Sequence, residues 1–395
     1  MAKYNEFDVV VAGGGLVGAA FAAALAPLPL EIALVEPHAP RIPEPAAENW
    51  DPRIYAISPG SAGFLAGLGA WDAMPAERIE PIRRMRVFGD DGNAEITFDA
   101  METGVPELAW IAESRVLHAA LWRRLERQDN LKLFCPGQCT ALSLEGGGAR
   151  IQLKGGKRLS AQLVVGADGA RSWVREHAEF WSEDRPYHQL GVVANFATEL
   201  AHAGVAWQWF RPEGTLAYLP LPGKRISIVW AAADHVARQL LALSTTEFSR
   251  RVADAGHKVL GELTQITPPQ SFPLRLLTMA RSVAPGVALI GDAAHVLHPL
   301  AGQGVNLGFA DAQALAAALA KREPFRTCGD GRLLRRYERG RGEERFALQF
   351  VTDGLQRLFS SENRALRLIR NRGLELTGSL AVIRNLLARR ALGTP

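Results

Sequence analysis

The hydrophobic pattern changes period several times along the chain, and each change marks an element. Residues 7–12 form an apolar run broken only by Asp8, residues 16–26 are alanine-rich and uncharged, and residues 31–36 (EIALVE) form a second apolar run bounded by glutamates. Apolar runs without alternation fit strands covered on both faces, so this order predicts a parallel βαβ unit. The stretch 9–30 carries no charge, as a membrane span would. It reads instead as strand, loop and helix. Gly13, Gly14, Gly15 and Gly18 interrupt it, Pro27 and Pro29 end it, and Glu6 and Asp8 precede it where a signal peptide carries basic residues.

Farther along, four prolines within 37–50 predict a loop, and residues 113–127 predict a helix with Val116, Leu117, Ala120, Leu121 and Leu125 on one face. Residues 131–167 read as a meander with glycine turns at 146–148 and 155–156, returning to the first sheet through the apolar run 163–165. Short aromatic and β-branched runs at 205–210 and 226–230, with a turn between them, predict a second sheet across 187–232. A strand at 286–291, a glycine-rich loop and an alanine-rich helix at 305–321 bring the chain back to the first domain. The pattern after Pro324 is helical throughout, and Leu376, Leu380, Ile383 and Leu387 form an apolar stripe opposite Arg384 and Arg389.

Composition narrows the class. With 395 residues, 48% hydrophobic and 22% charged, the chain supports two or three domains and no large disordered region. The net charge of +4 is uneven, since residues 356–395 hold eight arginines against Glu362 and Glu375. That asymmetry fits an anionic surface, an acidic partner or a solvated helical face. Cys135, Cys139 and Cys328 match neither a redox pair nor a metal pattern, so reduced thiols in a cytoplasmic protein are expected and no metal site is.

Gly13, Gly15 and Gly18 form GxGxxG between a predicted strand and a predicted helix. The first glycine serves a tight turn, the second close approach to a pyrophosphate, and the third close packing of helix on strand; Leu16 and Val17 complete the helix N-terminus that faces the phosphates. Glu36, at the next strand end, is placed to accept hydrogen bonds from an adenosine ribose, which favours FAD or NAD over NADP at this site. Asp168 within GADGARS and Asp292 within GDAAH also follow predicted strands, and the second is followed by HPLAGQGVNLG from His298 to Gly308. Asp292 is placed to bind ribityl hydroxyls, and Gly302 and Gly304 to bring helix amides against a flavin ring, where they stabilise the anionic reduced form.

Together these motifs resemble the class A flavoprotein aromatic hydroxylases, and the string HPLAGQGVNLG resembles the FAD-dependent hydroxylases of ubiquinone biosynthesis. DPRIYAIS at 51–58, Leu219-Pro220-Leu221 with Val229-Trp230, and Gly373-Leu374 with Ala391-Leu392-Gly393 are similar to that family's further motifs. Ser114 stands before Arg115 where the family pattern has an amide, and Gly214-Thr215 and Ala381 also depart from it. The resemblance implies an α/β fold: a Rossmann-type FAD-binding domain at 1–75, 105–178 and 277–345, an inserted α+β substrate sheet at 76–104 and 179–276 as in p-hydroxybenzoate hydroxylase, and a helical region at 346–395.

It further implies FAD as cofactor, NAD(P)H and O2 as co-substrates, and hydroxylation of a polyprenylated phenol through a flavin C4a-hydroperoxide, with no nucleic-acid partner. The nicotinamide is expected to bind transiently, since no second GxGxxG occurs. Cofactor contacts are expected from Gly13, Gly15, Leu16, Val17, Gly18, Glu36, Arg115, Asp168, Asp292, Pro299, Gly302, Gln303, Gly304, Val305 and Asn306. His298 and Arg53 are the candidates for catalysis, His295 reads as structural, and Tyr218 and Trp209 are candidates either for the substrate cavity or for the core. The basic tail is a candidate for docking at the inner membrane face, a lipid-binding protein or a biosynthetic complex. Three rival readings stay open: a hydroxylase of another phenolic metabolite, a flavin reductase or halogenase, and a flavin-stabilised scaffold. The segment 207–210 lacks the halogenase pattern WxWxIP.

Overall fold

Val9, Val10 and Val11 are fully buried because their strand, Asn5–Ala12, is central. It pairs in parallel with Ile32–Val35 on one side and Arg158–Gly166 on the other, and the sheet continues to Leu131–Phe134 and to Val287–Leu289. The computed structural model describes residues 4–40, 50–89, 94–298 and 304–360. Val9 and Val11 face helices α1 (Leu16–Ala24), α2 (Ser114–Leu125) and α3 (Gly304–Ala320). Val10 and Ala12 face the other layer, where the strand Gly148–Leu153 of the antiparallel meander supplies Ile151 and Leu153. Coverage on both sides is why these strands read as unbroken apolar runs.

Register decides where the loops meet. Ala12 lies opposite Val35 and Gly166, and Gly166 lies opposite Leu289, so four parallel strands end at one level. Gly13, Glu36, Asp168 and Asp292 therefore gather at one sheet edge, the position at which open parallel sheets take ligands.

The second sheet runs Leu263–Gln265, Glu183–Thr198, Arg225–Ala233, Gly214–Leu221, Val205–Arg211, Arg84–Phe88 and Glu95–Asp99, with Gln270–Thr278 also paired to Glu183–Thr198. Phe196, Tyr218 and Trp230 bury one face under the helix Thr245–Ala255 through Phe248 and Val252. A third sheet of Ile54–Ile57, Ile79–Ile82 and Ala109–Glu113 lies between the other two in the packing, sharing an apolar cluster of Ile82, Ile111, Ala206 and Leu221. Its polar centre is Glu113, which is fully buried and pairs with Arg78 at 2.6 Å while accepting the Asp51 N–H at 2.6 Å. Asn195 from the second sheet donates to Asp51 O at 2.9 Å and ties the sheets together.

Two elements differ from the sequence expectation. The strand expected at 286–291 spans only Val287–Leu289, because Gly291 at φ +60° opens a 3₁₀ turn over Gly291–Ala293. The last helix among the described residues, α4, begins at Gly331 and runs to Ser360. Asp330 starts it by accepting the Arg332 and Leu333 amides, and the chain before it is held against the first sheet at Gly286. The apolar stripe and arginines expected beyond 360 lie outside the described residues. Among the described residues, no helix is long and apolar enough to cross a membrane.

Candidate functional site

The three motif glycines have different neighbours. A Cβ on Gly13 (φ +103°) would lie 2.5 Å from Ala167 O, and one on Gly18 would lie 2.0 Å from Gly13 O. A Cβ on Gly15 would meet nothing within 4 Å. The first and third glycines are thus demanded by the chain itself, whereas the second faces open space. Gly15 is the N-cap of α1 and offers no side-chain cap, so the amides of Leu16, Val17 and Gly18 have no intrahelical acceptor and mark an anion site.

Gly14 between them is clamped. Its N–H donates to Glu36 Oε2 at 2.7 Å, its carbonyl accepts the Trp122 indole N–H at 2.8 Å, and His118 Nε2 reaches the same oxygen at 2.7 Å. Glu36 Oε1 accepts the His38 amide at 3.1 Å, so the expected ribose acceptor also shapes the turn. His118 and Trp122 were not legible as site residues, since a helical i,i+4 aromatic pair looks like any other packing contact.

The two aspartate loops follow the ends of two neighbouring parallel strands. Asp168 Oδ2 accepts the Val174 N–H at 3.0 Å, while its Oδ1 is buried without a protein partner among the described residues. Arg175 donates to Ala170 O and Ala293 O and so staples the two loops to each other. Arg275 from the second sheet donates to Ala170 O at 2.8 Å and pairs with Asp184 at 2.6 Å. Asp292 is exposed to solvent, although protein atoms pack around its carboxyl. This packing raises its carboxyl above the usual range, against the opposing influence of His295, Arg275 and Arg53.

Arg53 thus comes near Asp292 and also near Tyr55, whose phenol pairs with Ser114 and is pushed up by burial. Arg115 donates to the buried Glu113 at 3.3 Å, and its Nε is buried without a protein partner among the described residues. Each of these unmet groups, the Asp168 acceptor and the Arg115 donor, fits a polar ligand, because an unpaired buried polar atom costs about 1–3 kcal/mol.

His298 is 3% exposed, and its Nε2 lies 3.0 Å from Gln189 Oε1, with the Tyr187 ring edge-on at 5.0 Å. Burial, opposed by Asp353, pushes its pKa down to about 4. It is therefore neutral near pH 7. With Nε2–H donating to Gln189, Nδ1 is left as an acceptor without a protein partner among the described residues. His295 is a buried structural residue, paired with Asp311 at 2.5 Å.

Gly304 stands at the start of α3 with open space around it, and Val305 follows at the buried first turn. The Asn306 side chain bridges to the third sheet and the helix after it: Nδ2 donates to Ala56 O at 2.8 Å and Oδ1 accepts the Ser58 N–H at 3.0 Å. Pro299, Gly302 and Gln303 lie outside the described residues. Tyr218 and Trp209 are buried in the apolar core of the second sheet. The Tyr218 hydroxyl donates to Val252 O at 2.6 Å, and Trp209 stacks on Phe88.

Known proteins bear on this site. The model of the family described as an FAD binding domain matches residues 6–351. The chain is 36% identical over 387 residues to the 3-demethoxyubiquinol 3-hydroxylase of Escherichia coli, covering 98% of each chain. It is 34% identical over 388 residues to the ubiquinone hydroxylase UbiL of Rhodospirillum rubrum, covering 98% of this chain and 90% of the other. Among solved structures it is similar in fold to Pseudomonas aeruginosa PqsL in complex with 2-aminobenzoylacetate, with a TM-score of 0.78, 23% identity, and 94% and 99% of the two chains covered. A similar likeness joins it to Klebsiella pneumoniae HpxO complexed with FAD and uric acid, at a TM-score of 0.74 and 18% identity over 98% and 97% of the chains.

Proposed function

The chain belongs to the FAD-dependent hydroxylase family of ubiquinone biosynthesis, and from that premise we propose that it uses FAD, NAD(P)H and O2 to hydroxylate the ring of a polyprenylated phenol. The observation that carries this reading is the near end-to-end alignment with a demethoxyubiquinol hydroxylase. Bound FAD supplies the redox and oxygen chemistry; the protein binds, orients and shields.

Gly15 and the first amides of α1 cradle the pyrophosphate, and Glu36 turns its remaining acceptor capacity to the adenosine ribose. The unmet Asp168 Oδ1 and Arg115 Nε meet cofactor groups, and Asp292 meets the ribityl hydroxyls. Gly304 and Val305 open a helix whose first amides would face the flavin and favour its anionic reduced form, and Pro299, Gly302 and Gln303 are assigned as further cofactor contacts. Arg53, beside Tyr55 and Asp292, stabilises a phenolate at the mouth of the cleft. His298 orients the substrate hydroxyl as a neutral acceptor through Nδ1.

A polyprenyl tail is delivered from a lipid phase or a lipid-binding partner, and the arginines between 356 and 395 provide the docking charge. Arginine-to-glutamine changes there are expected to reduce binding to anionic liposomes, and unchanged binding returns that segment to a solvated role.

The deciding experiment is anaerobic reduction of the FAD-loaded protein by NADH and NADPH, with and without a short-chain polyprenylphenol, followed by O2 and product analysis. Substrate-stimulated reduction with labelled oxygen in the ring is the expected result. Reduction that ends in peroxide with every phenol of this class would overturn it.

A further inference from the structure

Three buried polar side chains, Asp311, His295 and Arg341, meet directly behind the turn that carries Asp292. Asp311, on α3 and fully buried, accepts the Gly291 N–H at 3.2 Å and His295 Nε2 at 2.5 Å through Oδ2, and Arg341 Nε at 2.9 Å through Oδ1. Arg341 lies on α4 and also reaches Leu307 O and Glu344. Burial pushes the Asp311 carboxyl up, but its contacts with His295 and Arg341 outweigh burial and hold it below the usual range. Replacing such a cluster with apolar side chains is often neutral or stabilising, so stability alone is a weak reason for placing it here.

The turn itself leaves little freedom. Gly291 O accepts the Ala294 and His295 amides, Ile290 N–H donates to Gly166 O at 3.0 Å, and Gly291 sits at φ +60°. The Gly291 N–H is the remaining handle on its first peptide, and Asp311 holds it. A Cβ on Gly291 would lie 3.2 Å from Val17, whose amide belongs to the open N-terminus of α1, so displacement of this turn presses on the anion site as well.

We propose that Asp311 is a positioning residue for the FAD site, holding the Gly291–Ala293 turn so that Asp292 faces the cleft, and that Arg341 ties this setting to the C-terminal helix α4. The proposal rests on the reading that Asp292 contacts FAD. α4 touches the site a second time three turns later, where Asp353 accepts from Tyr187 and pairs with Arg185 beside His298.

The test is FAD titration of the full-length apoprotein, followed by flavin fluorescence, with melting temperatures of the same samples. Asp311→Asn and Arg341→Met are expected to raise the FAD Kd about tenfold or more, and Arg341→Lys, which keeps the charge, by clearly less. Leu319→Ala, a cavity at the far end of α3, is expected to lower the melting temperature while leaving the FAD Kd within about twofold. If Asp311→Asn does not fold, the contrast between Arg341→Met and Arg341→Lys decides. An FAD Kd within twofold of wild type in Arg341→Met, or one that tracks melting temperature across all variants including Leu319→Ala, overturns the positioning role while leaving the FAD reading intact. Failure of the wild-type protein to bind FAD overturns both.

Discussion

Glu36 Oε2 accepts the backbone N–H of Gly14 at 2.7 Å, so the carboxylate placed for a ribose also holds the turn that faces the phosphates. Glu36→Gln retains an acceptor and is expected to weaken FAD binding by no more than about threefold. Glu36→Ala strands the Gly14 N–H and should weaken it by about tenfold, equivalent to about 1.4 kcal/mol. Calorimetric titration with FAD separates the two, and equal affinities would mean that the turn needs no side-chain acceptor.

The glycine motif contains a contrast between folding and binding. Gly13→Ala drives a Cβ into Ala167 O and is expected to destabilise the protein by about 1–3 kcal/mol. Gly15→Ala meets no protein atom, so its melting temperature should stay near wild type while FAD affinity falls about tenfold or more. Thermal melts of the apoproteins beside FAD titrations check this. Normal FAD binding by Gly15→Ala would remove Gly15 from the cofactor cradle.

His298 carries a pH signature. Its folded pKa of about 4 lies below the unfolded value near 6.5, so the unfolded chain binds more protons between them and stability falls as pH drops through that window. The group should remove about 3 kcal/mol by pH 4, with no contribution above pH 7. His298→Asn should flatten the acid limb of urea-derived stability between pH 6.5 and 4. An unchanged limb would show that His298 protonates as readily in the folded protein as in water.

Tyr218 separates core from cavity. Tyr218→Phe loses the buried hydrogen bond to Val252 O and should cost about 1 kcal/mol, with KM for the phenol unchanged. A raised KM at constant stability would put Tyr218 in contact with substrate.

The parallel βαβ unit was legible because strands covered on both faces leave unbroken apolar runs, as 7–12 and 31–36 do. The two aspartate loops were legible because each follows such a run. The 3₁₀ turn at Gly291 was not, since a glycine after a strand has the same pattern whether the strand continues or breaks. Neither was the commitment of the Asn306 side chain to Ala56 and Ser58, some 250 residues earlier, because a side-chain amide shows no sign of which backbone it will meet.

Local periodicity and the spacing of glycines and acids determined, from the sequence alone, that this chain builds a dinucleotide-type cleft and which motifs surround it. These properties depend on a few consecutive residues, so they survive without knowledge of the fold. Only the tertiary structure decided protonation and partnership: a neutral His298, a buried Asp311 between His295 and Arg341, and Trp122 closing on Gly14. Desolvation and long-range hydrogen bonds are set by what surrounds a group in space, and that environment comes from segments far apart along the chain.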